Sequence, residues 1–229
     1  MKTLQKYLGE FVYGGIDGCV TTFAVVSGAV GANLETSVIL ILGFANLFAD
    51  GFSMSVGAFL SEKSKKRLYQ KHKNAEEFEV RHNPKEGIQE IRDLYAKKGF
   101  EGDLLNQIVE KITTQDELWV NEMMTGELEL QKEEKSSSMV GSATFISFLL
   151  VGVIPLMVYV FDFFVSSSLP LFFLSSLFAG IGFLIVGFLK AFVTEENRIK
   201  SMIETLFLGG SAAAIAYYLG YFLEKIFVN

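Results

Sequence analysis

Cysteine, histidine and proline are scarce in this chain of 229 residues, which contains one cysteine, two histidines and three prolines. The single cysteine, Cys19, excludes a disulfide within the chain. The net charge of −6 comes without an uncompensated basic patch, which argues against nucleic acid as a partner. The sequence also lacks a phosphate-binding loop, so nothing in it indicates an ATPase.

Apolar sequence is abundant instead, since 50% of the residues are hydrophobic and 14% are aromatic. Five long apolar runs cover residues 11–32, 37–60, 139–161, 169–193 and 202–223. Each is about 20 residues or longer, which suffices to cross a bilayer core of roughly 30 Å as a helix. The first run contains an acid and several glycines and is long, so we interpret it as a span and not as a signal peptide.

The charged residues concentrate between the second and third runs. The sequence therefore predicts an all-α membrane protein with five transmembrane helices and a cytosolic helical insert between spans two and three. We expect residues 1–60 to form spans one and two, residues 61–136 to form an acidic helical metal-binding domain, and residues 137–229 to form spans three to five.

The distribution of lysine and arginine orients the spans, because cytosolic loops are enriched in these residues. Basic residues precede span one, follow span two and flank the loop between spans four and five; they are Lys2, Lys6, Lys63, Lys65, Lys66, Arg67, Lys71, Lys73, Lys190, Arg198 and Lys200. The other two loops contain none, and only Lys225 falls on the opposite side. The pattern predicts a cytosolic N-terminus and insert, with the C-terminus across the membrane.

The insert is expected to consist of helices. Residues 58–82 contain neither glycine nor proline, so the helix of span two should continue through them. Asn83 as N-cap and Pro84 at the first helical position then start a second helix, which ends near Gly99. Thr114–Glu117 resembles a capping box that opens a further helix.

Acidic side chains inside the apolar runs are the most informative residues of the chain. Asp17 lies in the first run and Asp50 in the second, where an ionised carboxylate costs roughly 3 kcal/mol or more. A spacing of four along span two aligns a stripe of Asn46, Asp50, Met54, Ala58 and Glu62. If the two spans pack antiparallel, Asp17 approaches the level of Asp50 and Met54. The pattern favours a cation path; the alternatives are acids bonded to hydroxyls or backbone, and a packing role for Met54.

Acids of the insert also share helix faces. Spacings of three or four relate Glu76 to Glu79, Glu86 to Glu90, and Met123 to Glu127. Like charges at these spacings repel, and a divalent cation would remove that cost. Carboxylates favour hard ions such as Mn²⁺, whereas a thioether shifts the preference towards Fe²⁺. The alternative is a solvated acidic surface without a metal.

Several of these segments resemble the vacuolar iron transporter family. The resemblance rests on Asp17-Gly18 with Thr21-Thr22-Phe23-Ala24, on Asp50-Gly51-Phe52-Ser53-Met54, and on Leu60-Ser61-Glu62-Lys63-Ser64. It extends over nearly the whole chain and includes Pro155 and the helix with Met123-Met124. It implies homodimers that move Fe²⁺, and often Mn²⁺, out of the cytosol in exchange for protons.

The resemblance also implies which residues bind the ion. The family's pathway acid in span one matches Asp17, and its pathway methionine in span two matches Met54. The family's insert ligands match Glu76, Glu79, Glu90, Met123 and Glu127. Two further family glutamates are replaced here, one by Asn46 and one by Gly87. Asp50, one helical turn from Asn46, and Glu86, adjacent to Gly87, are therefore candidates as well.

Together these inferences predict a transporter and not an enzyme, with no prosthetic group. The insert would capture Fe²⁺ or Mn²⁺, Glu62 would lie on the route inwards, and the membrane acids would bind the ion between two protomers. Its partners would be divalent metal ions, protons, the lipid bilayer and a second copy. The membrane would be the cell membrane of a prokaryote or the vacuolar membrane of a eukaryote.

Two alternatives from other classes remain open at this point. One is a membrane-anchored iron-binding or di-iron oxidase-like protein without transport, because Glu79 and His82 have the Glu-x-x-His spacing of ferritin-like sites. Such a site needs a second motif of this kind, and the other histidine, His72, is not part of one. The second alternative is a membrane protein whose insert binds a cytosolic partner.

Overall fold

The computed structural model describes residues 5–165 and 170–227. Within these residues the chain is helical and forms no β-strand. Its helices are α1 (Leu8–Gly31), α2 (Thr36–His82), α3 (Pro84–Lys97), α4 (Gly102–Thr113), α5 (Asp116–Glu122), α6 (Ser137–Gly152), α7 (Met157–Val165), α8 (Leu171–Thr194) and α9 (Arg198–Phe227). A π-helical turn, Met123–Glu127, follows α5, and a 3₁₀ turn, Ile154–Leu156, joins α6 to α7.

Five of these segments are long and apolar enough to cross a membrane. They are Leu8–Gly31, Thr36–His82, Ser137–Val165, Leu171–Thr194 and Arg198–Phe227. The all-α fold with five predicted spans is thereby confirmed. The unbroken helix α2 also confirms that span two continues past its apolar run, because no glycine or proline interrupts it there.

The helices form two compact units, Met1–Leu60 with Lys135–Asn229, and Ser61–Glu134. The first is the membrane-spanning unit, in which α1 packs against α6, α8 and α9. Glycine permits the close approach of α1 to α6, because a Cβ on Gly18 would overlap the main-chain carbonyl of Phe148. Small residues thus bring the spans together where lipid supplies no hydrophobic driving force.

Span three changes its helical geometry at Pro155. The residue has no N–H to continue the α-helical ladder, and the chain forms a 3₁₀ turn there before α7 begins. The carbonyl oxygen of Pro155 accepts a hydrogen bond of 2.7 Å from the hydroxyl of Ser175 in α8. This bond satisfies a main-chain group at the irregular point of the span, as a segment inside a membrane requires.

The second unit, Ser61–Glu134, has an apolar core of its own. Buried side chains from the end of α2, from α3, α4 and α5, and from the π-helical turn form it: Val80, Ile91, Leu105, Val109, Ile112, Trp119, Val120, Met123 and Met124. Helix α3 begins at Pro84, as predicted, and the chain after it takes a positive φ of 92° at Gly99. Asn83 occupies the N-cap without a side-chain hydrogen bond to the helix.

The capping box expected at Thr114–Glu117 is wrong. Thr114 is the C-cap of α4, and its hydroxyl donates to the carbonyl of Lys111 at 3.0 Å. Helix α5 starts one residue later than predicted, at Asp116, with Gln115 at its N-cap and no side-chain capping bond. The Thr114 hydroxyl bonds to the end of α4 because the connection between α4 and α5 is only two residues long.

Candidate metal site in the membrane-spanning unit

Three helices of the membrane-spanning unit meet at Phe148 of α6. Gly18 of α1 lies against the Phe148 backbone, and a Cβ on Gly51 of α2 would come within 3.0 Å of the Phe148 ring. One turn along α6, a Cβ on Gly152 would come within 2.6 Å of the Leu47 side chain and 2.8 Å of the Gly18 carbonyl oxygen. These contacts place one level of α1 beside one level of α2.

Neighbouring contacts fix the directions of the helices. Gly14 of α1 lies against Thr144 of α6. Compared with the contact between Gly18 and Phe148, both residue numbers are four lower, so α1 and α6 run parallel. Ser55 of α2 donates a hydrogen bond of 2.8 Å to the carbonyl oxygen of Gly141. From the Phe148 contact to this bond, residue numbers rise along α2 and fall along α6, so these two helices are antiparallel. Helices α1 and α2 therefore run antiparallel on either side of the shared contact.

Asp17 and Asp50 are brought together by this arrangement. Each directly precedes a glycine that contacts Phe148, and the negative charges of the two carboxylates act on each other. Both side chains are half-buried. The nearby hydroxyl of Thr21 donates to the main-chain carbonyl of Asp17 at 2.9 Å and not to its carboxylate. Two like charges at one level of a membrane protein form a site that a cation would stabilise.

The other polar members of the span-two stripe have different surroundings. Met54 is partly buried and packs against the apolar cluster that contains Phe148 and Leu47. Its thioether thus lies one helical turn from Asp50 in a packed position. The side-chain nitrogen of Asn46 is buried and has no hydrogen-bond partner among the described residues.

Glu62 is the most buried of the candidate acids whose side chains the structure describes. Its side chain is only 6% exposed, and Oε1 has no hydrogen-bond partner within the described part of the chain. A buried carboxylate oxygen without a partner is costly, so the position requires an explanation beyond packing. It lies on the part of α2 that belongs to the second unit.

Within the second unit, Glu90 and Met123 lie at matching levels of neighbouring segments. A Cβ on Gly87 of α3 would come within 3.0 Å of the Trp119 ring, and one on Gly126 would meet the Leu94 side chain. In sequence, Glu90 lies between the α3 contact residues Gly87 and Leu94. Met123 lies between their partners, Trp119 and Gly126. Met123 is 3% exposed and packs in the core, where it starts the π-helical turn.

The remaining predicted ligands of the insert are more dispersed. Glu76 and Glu79 are partly buried on α2, next to the core residue Val80, whereas Glu86 is exposed on α3. Glu127 ends the π-helical turn, and its side chain lies outside the described atoms. Among the described Asp, Glu, His and Cys side chains, no three converge to hold a metal ion.

Two acidic contacts were missed by the sequence reasoning. Glu10 of α1 forms an ion pair with Lys135 at 2.7 Å, while its second oxygen is buried without a partner in the described structure. Its position seven residues before Asp17, two turns on one helix face, was the available signal. In the insert, Tyr95 donates a hydrogen bond of 3.0 Å to Glu122. Burial, this bond and the Glu122 charge raise the pKa of Tyr95 above its ordinary value.

Sequence comparisons agree with this architecture. The model of the VIT family matches residues 8–221. A vacuolar iron transporter of Toxoplasma gondii is 32% identical over 231 residues, covering 98% of this chain and 76% of the relative. A vacuolar iron transporter of Plasmodium berghei is 31% identical over 230 residues, covering 96% and 83%. Vacuolar iron transporter 1 of Arabidopsis thaliana is 28% identical over 218 residues, covering 95% and 86%.

The relatives are named as transporters, which supports a non-enzymatic role for this chain. Because the family model matches residues 8–221 and a relative is 32% identical over 98% of this chain, the chain belongs to the VIT family.

Proposed function

We propose that this protein transports iron across a membrane, taking Fe²⁺, or Mn²⁺, from the cytosol and exchanging it for protons. The observation that carries the proposal is the pair of carboxylates, Asp17 and Asp50, at one level of the membrane-spanning unit. Family membership and relatives named vacuolar iron transporter support iron as the substrate.

The chemistry of coupling follows from carboxylate oxygens. Their lone pairs bind either a divalent cation or a proton, and the two compete for the same site. Either ligand would relieve the mutual repulsion of Asp17 and Asp50. Protons from an acidic compartment would displace the metal on that side, and the pH gradient would supply the energy of transport. Met54 would add a softer ligand one turn away, which suits Fe²⁺.

The insert, residues 61–136, would serve as the cytosolic metal-binding domain. Glu76, Glu79 and Glu90, with Met123 and Glu127, would gather around a captured ion, and Glu86 would join from its exposed position. The buried oxygen of Glu62, without a partner among the described residues, supports a place for this side chain on the route inwards.

A homodimer would complete the path. Span two presents a row of exposed apolar side chains; those of Ile41, Phe48 and Phe52 are 68%, 56% and 65% exposed. Asp50 on the same helix is only half-buried, and a carboxylate facing lipid is expensive. A second copy against this helix would shield the acid and form the other wall of the ion site.

The orientation and the membrane are part of the same proposal. The positive charge of the loops supports a cytosolic N-terminus and a cytosolic insert. The relatives' name suggests the vacuolar membrane in a eukaryote, and the cell membrane would be the counterpart in a prokaryote.

The test is anaerobic Fe²⁺ uptake into proteoliposomes with an acidic lumen, with Mn²⁺ in parallel. We expect uptake that requires the pH gradient and is lost in Asp17→Ala and Asp17→Asn. The matched control is Glu35→Gln, which removes an exposed acid from the loop between α1 and α2 and should transport normally. Absence of uptake of both metals by the native chain, with metal binding by the insert intact, would leave a binding protein and refute transport.

A further inference from the structure

In the described part of the membrane-spanning unit, buried hydroxyl groups follow one rule with two exceptions. Ser27, Thr144, Ser147, Ser175, Ser201 and Thr205 are buried, and each donates a hydrogen bond to a main-chain carbonyl. Such bonds are the usual way to satisfy a hydroxyl away from water. Thr22 and Tyr159 are as buried, at 0% and 2% exposure, yet their hydroxyls have no partner among the described residues.

The two exceptions lie in one region with the unpartnered amide of Asn46. Thr22 is one turn after Gly18 and one turn before Val26, and both of these residues face the contact region of α6 and α2. Asn46 precedes Leu47, and Leu47 and Tyr159 belong to the same apolar cluster as Val26. Three unpartnered polar atoms are thus distributed through one apolar region.

All three lie on the same side of the acid pair. Thr22 follows Asp17 along α1, and Asn46 precedes Asp50 along the antiparallel α2, so both are displaced in the same direction. The displacement is about 6 to 8 Å at 1.5 Å per residue. Tyr159 lies further along span three, which runs parallel to α1. All three residues are thus displaced from the acid pair away from the N-terminal end of α1, where Glu10 and Lys135 form their ion pair.

We propose that Thr22, Asn46 and Tyr159 line a narrow hydrated continuation of the ion path, on the side of the acid pair remote from the N-terminus. The proposal rests on the proposed function, since it extends the same path. Each side chain has a polar atom that bonds to water, and water would satisfy groups that the protein leaves without partners. A divalent ion leaving the carboxylates would regain water molecules here, beside hydroxyls already oriented towards water.

Cysteine accessibility tests hydration without requiring transport. In a Cys19→Ala background, Thr22→Cys in the full-length protein is treated with a small water-soluble methanethiosulfonate reagent, and the rate of modification is measured. We expect Thr22→Cys to react at least several-fold faster than Thr205→Cys. Thr205 is the matched control because it is equally buried on span five and its hydroxyl is bonded to Ser201. Equal, slow modification of both thiols would overturn the proposal.

Transport of the near-isosteric variants supplies the second measurement. Thr22→Val should lower Fe²⁺ flux several-fold, Thr22→Ser should restore it, and Thr205→Val should leave it unchanged. All are compared at equal thermal stability in detergent, so that a folding defect is recognised. Normal flux by Thr22→Val together with an unreactive Thr22→Cys would refute the hydrated continuation while iron transport stands. If Thr22→Cys reacts rapidly but the native chain moves no metal, transport is refuted and the hydrated passage is retained.

Discussion

Asp17 of α1 and Asp50 of α2 lie close enough for their negative charges to act on each other inside a membrane-spanning unit. The two residues are 33 positions apart in the sequence, and their approach depends on Phe148 of a third helix. Two glycines, Gly18 and Gly51, allow that residue to contact both helices immediately beside the acids. The acid pair is therefore a product of packing between three spans.

If the two acids bind a single ion, their substitutions will not be additive. Asp17→Asn and Asp50→Asn should each remove most of the metal flux, and the double variant should be no worse than the more affected single variant. The reason is that residues acting on one ligand fail together, as in other coupled sites. Proteoliposome uptake of Fe²⁺ measures all three. If the fold-loss of flux in the double variant equals the product of the two single losses, the acids act at separate steps.

A methyl group at Gly18 should weaken the packing of α1 on α6. The Cβ would overlap the Phe148 carbonyl, which belongs to the backbone and has no freedom to turn aside. We expect Gly18→Ala to cost about 1 to 3 kcal/mol, as overpacking usually does. Gly57→Ala is the control, because nothing lies within 4 Å of its added Cβ. That variant should be neutral or stabilising by roughly 0.5 to 1 kcal/mol.

Thermal unfolding in detergent distinguishes the two alanine variants. The expected pattern is a lower midpoint for Gly18→Ala and an unchanged or higher midpoint for Gly57→Ala. Equal midpoints would mean that α1 and α6 approach less closely than the structure has them.

Removal of Lys135 should destabilise the protein more than removal of the whole ion pair. Lys135→Met leaves Glu10 with one oxygen newly unpaired and another already buried without a partner among the described residues. A partly buried carboxylate without a counter-charge is unfavourable, so adding Glu10→Gln should recover part of the lost stability. A double-mutant cycle on thermal stability tests this. Simple additivity of the two substitutions would argue against an energetic link between them.

Trp119 should report metal binding by the insert. It is the single tryptophan of the chain, is 3% exposed, and lies in the core beside Gly87, one turn before Met123. Since Mn²⁺ and Fe²⁺ quench fluorescence at short range, titration with Mn²⁺ should quench Trp119 saturably. Glu90→Gln should move the titration to higher concentrations.

Glu117→Gln is the control for that titration, because Glu117 is an exposed acid on the same short helix as Trp119. It should leave the quenching curve in place. If both variants shift the curve equally, the ion is attracted by general acidity and not by a site at Glu90.

The Tyr95–Glu122 hydrogen bond should contribute stability that disappears at high pH. The pKa of Tyr95 is raised in the folded protein, by burial first and then by Glu122. The contribution is therefore fully present below the ordinary tyrosine pKa of about 10 and is lost as the pH rises through the higher folded value. Native protein should be more stable than Tyr95→Phe at neutral pH. The difference should shrink in strongly alkaline buffer, and a constant difference would assign the effect to packing alone.

Much of the architecture was predictable from local pattern. The five apolar runs determine the spans, because length and hydropathy decide membrane insertion almost independently of tertiary contacts. The long helix through His82 and the helix starting at Pro84 follow from the positions of proline and glycine. The capping box failed because the Thr114 hydroxyl could either accept a hydrogen bond from an N–H of the next helix or donate one to the end of the preceding helix. The two-residue connection favoured donation to the Lys111 carbonyl.

The sequence by itself determined that acids lie within the membrane at Asp17 and Asp50 and that a charged insert interrupts the spans. Only the tertiary structure decided that α1 and α2 meet across Phe148 and that Lys135 pairs with Glu10. It also decided that Thr22 and Tyr159 are buried without partners among the described residues, whereas other buried hydroxyls are bonded. Helical periodicity specifies which side chains share one helix face. Which faces meet depends on glycines and bulky residues from helices far apart in the chain, and no local pattern contains that information.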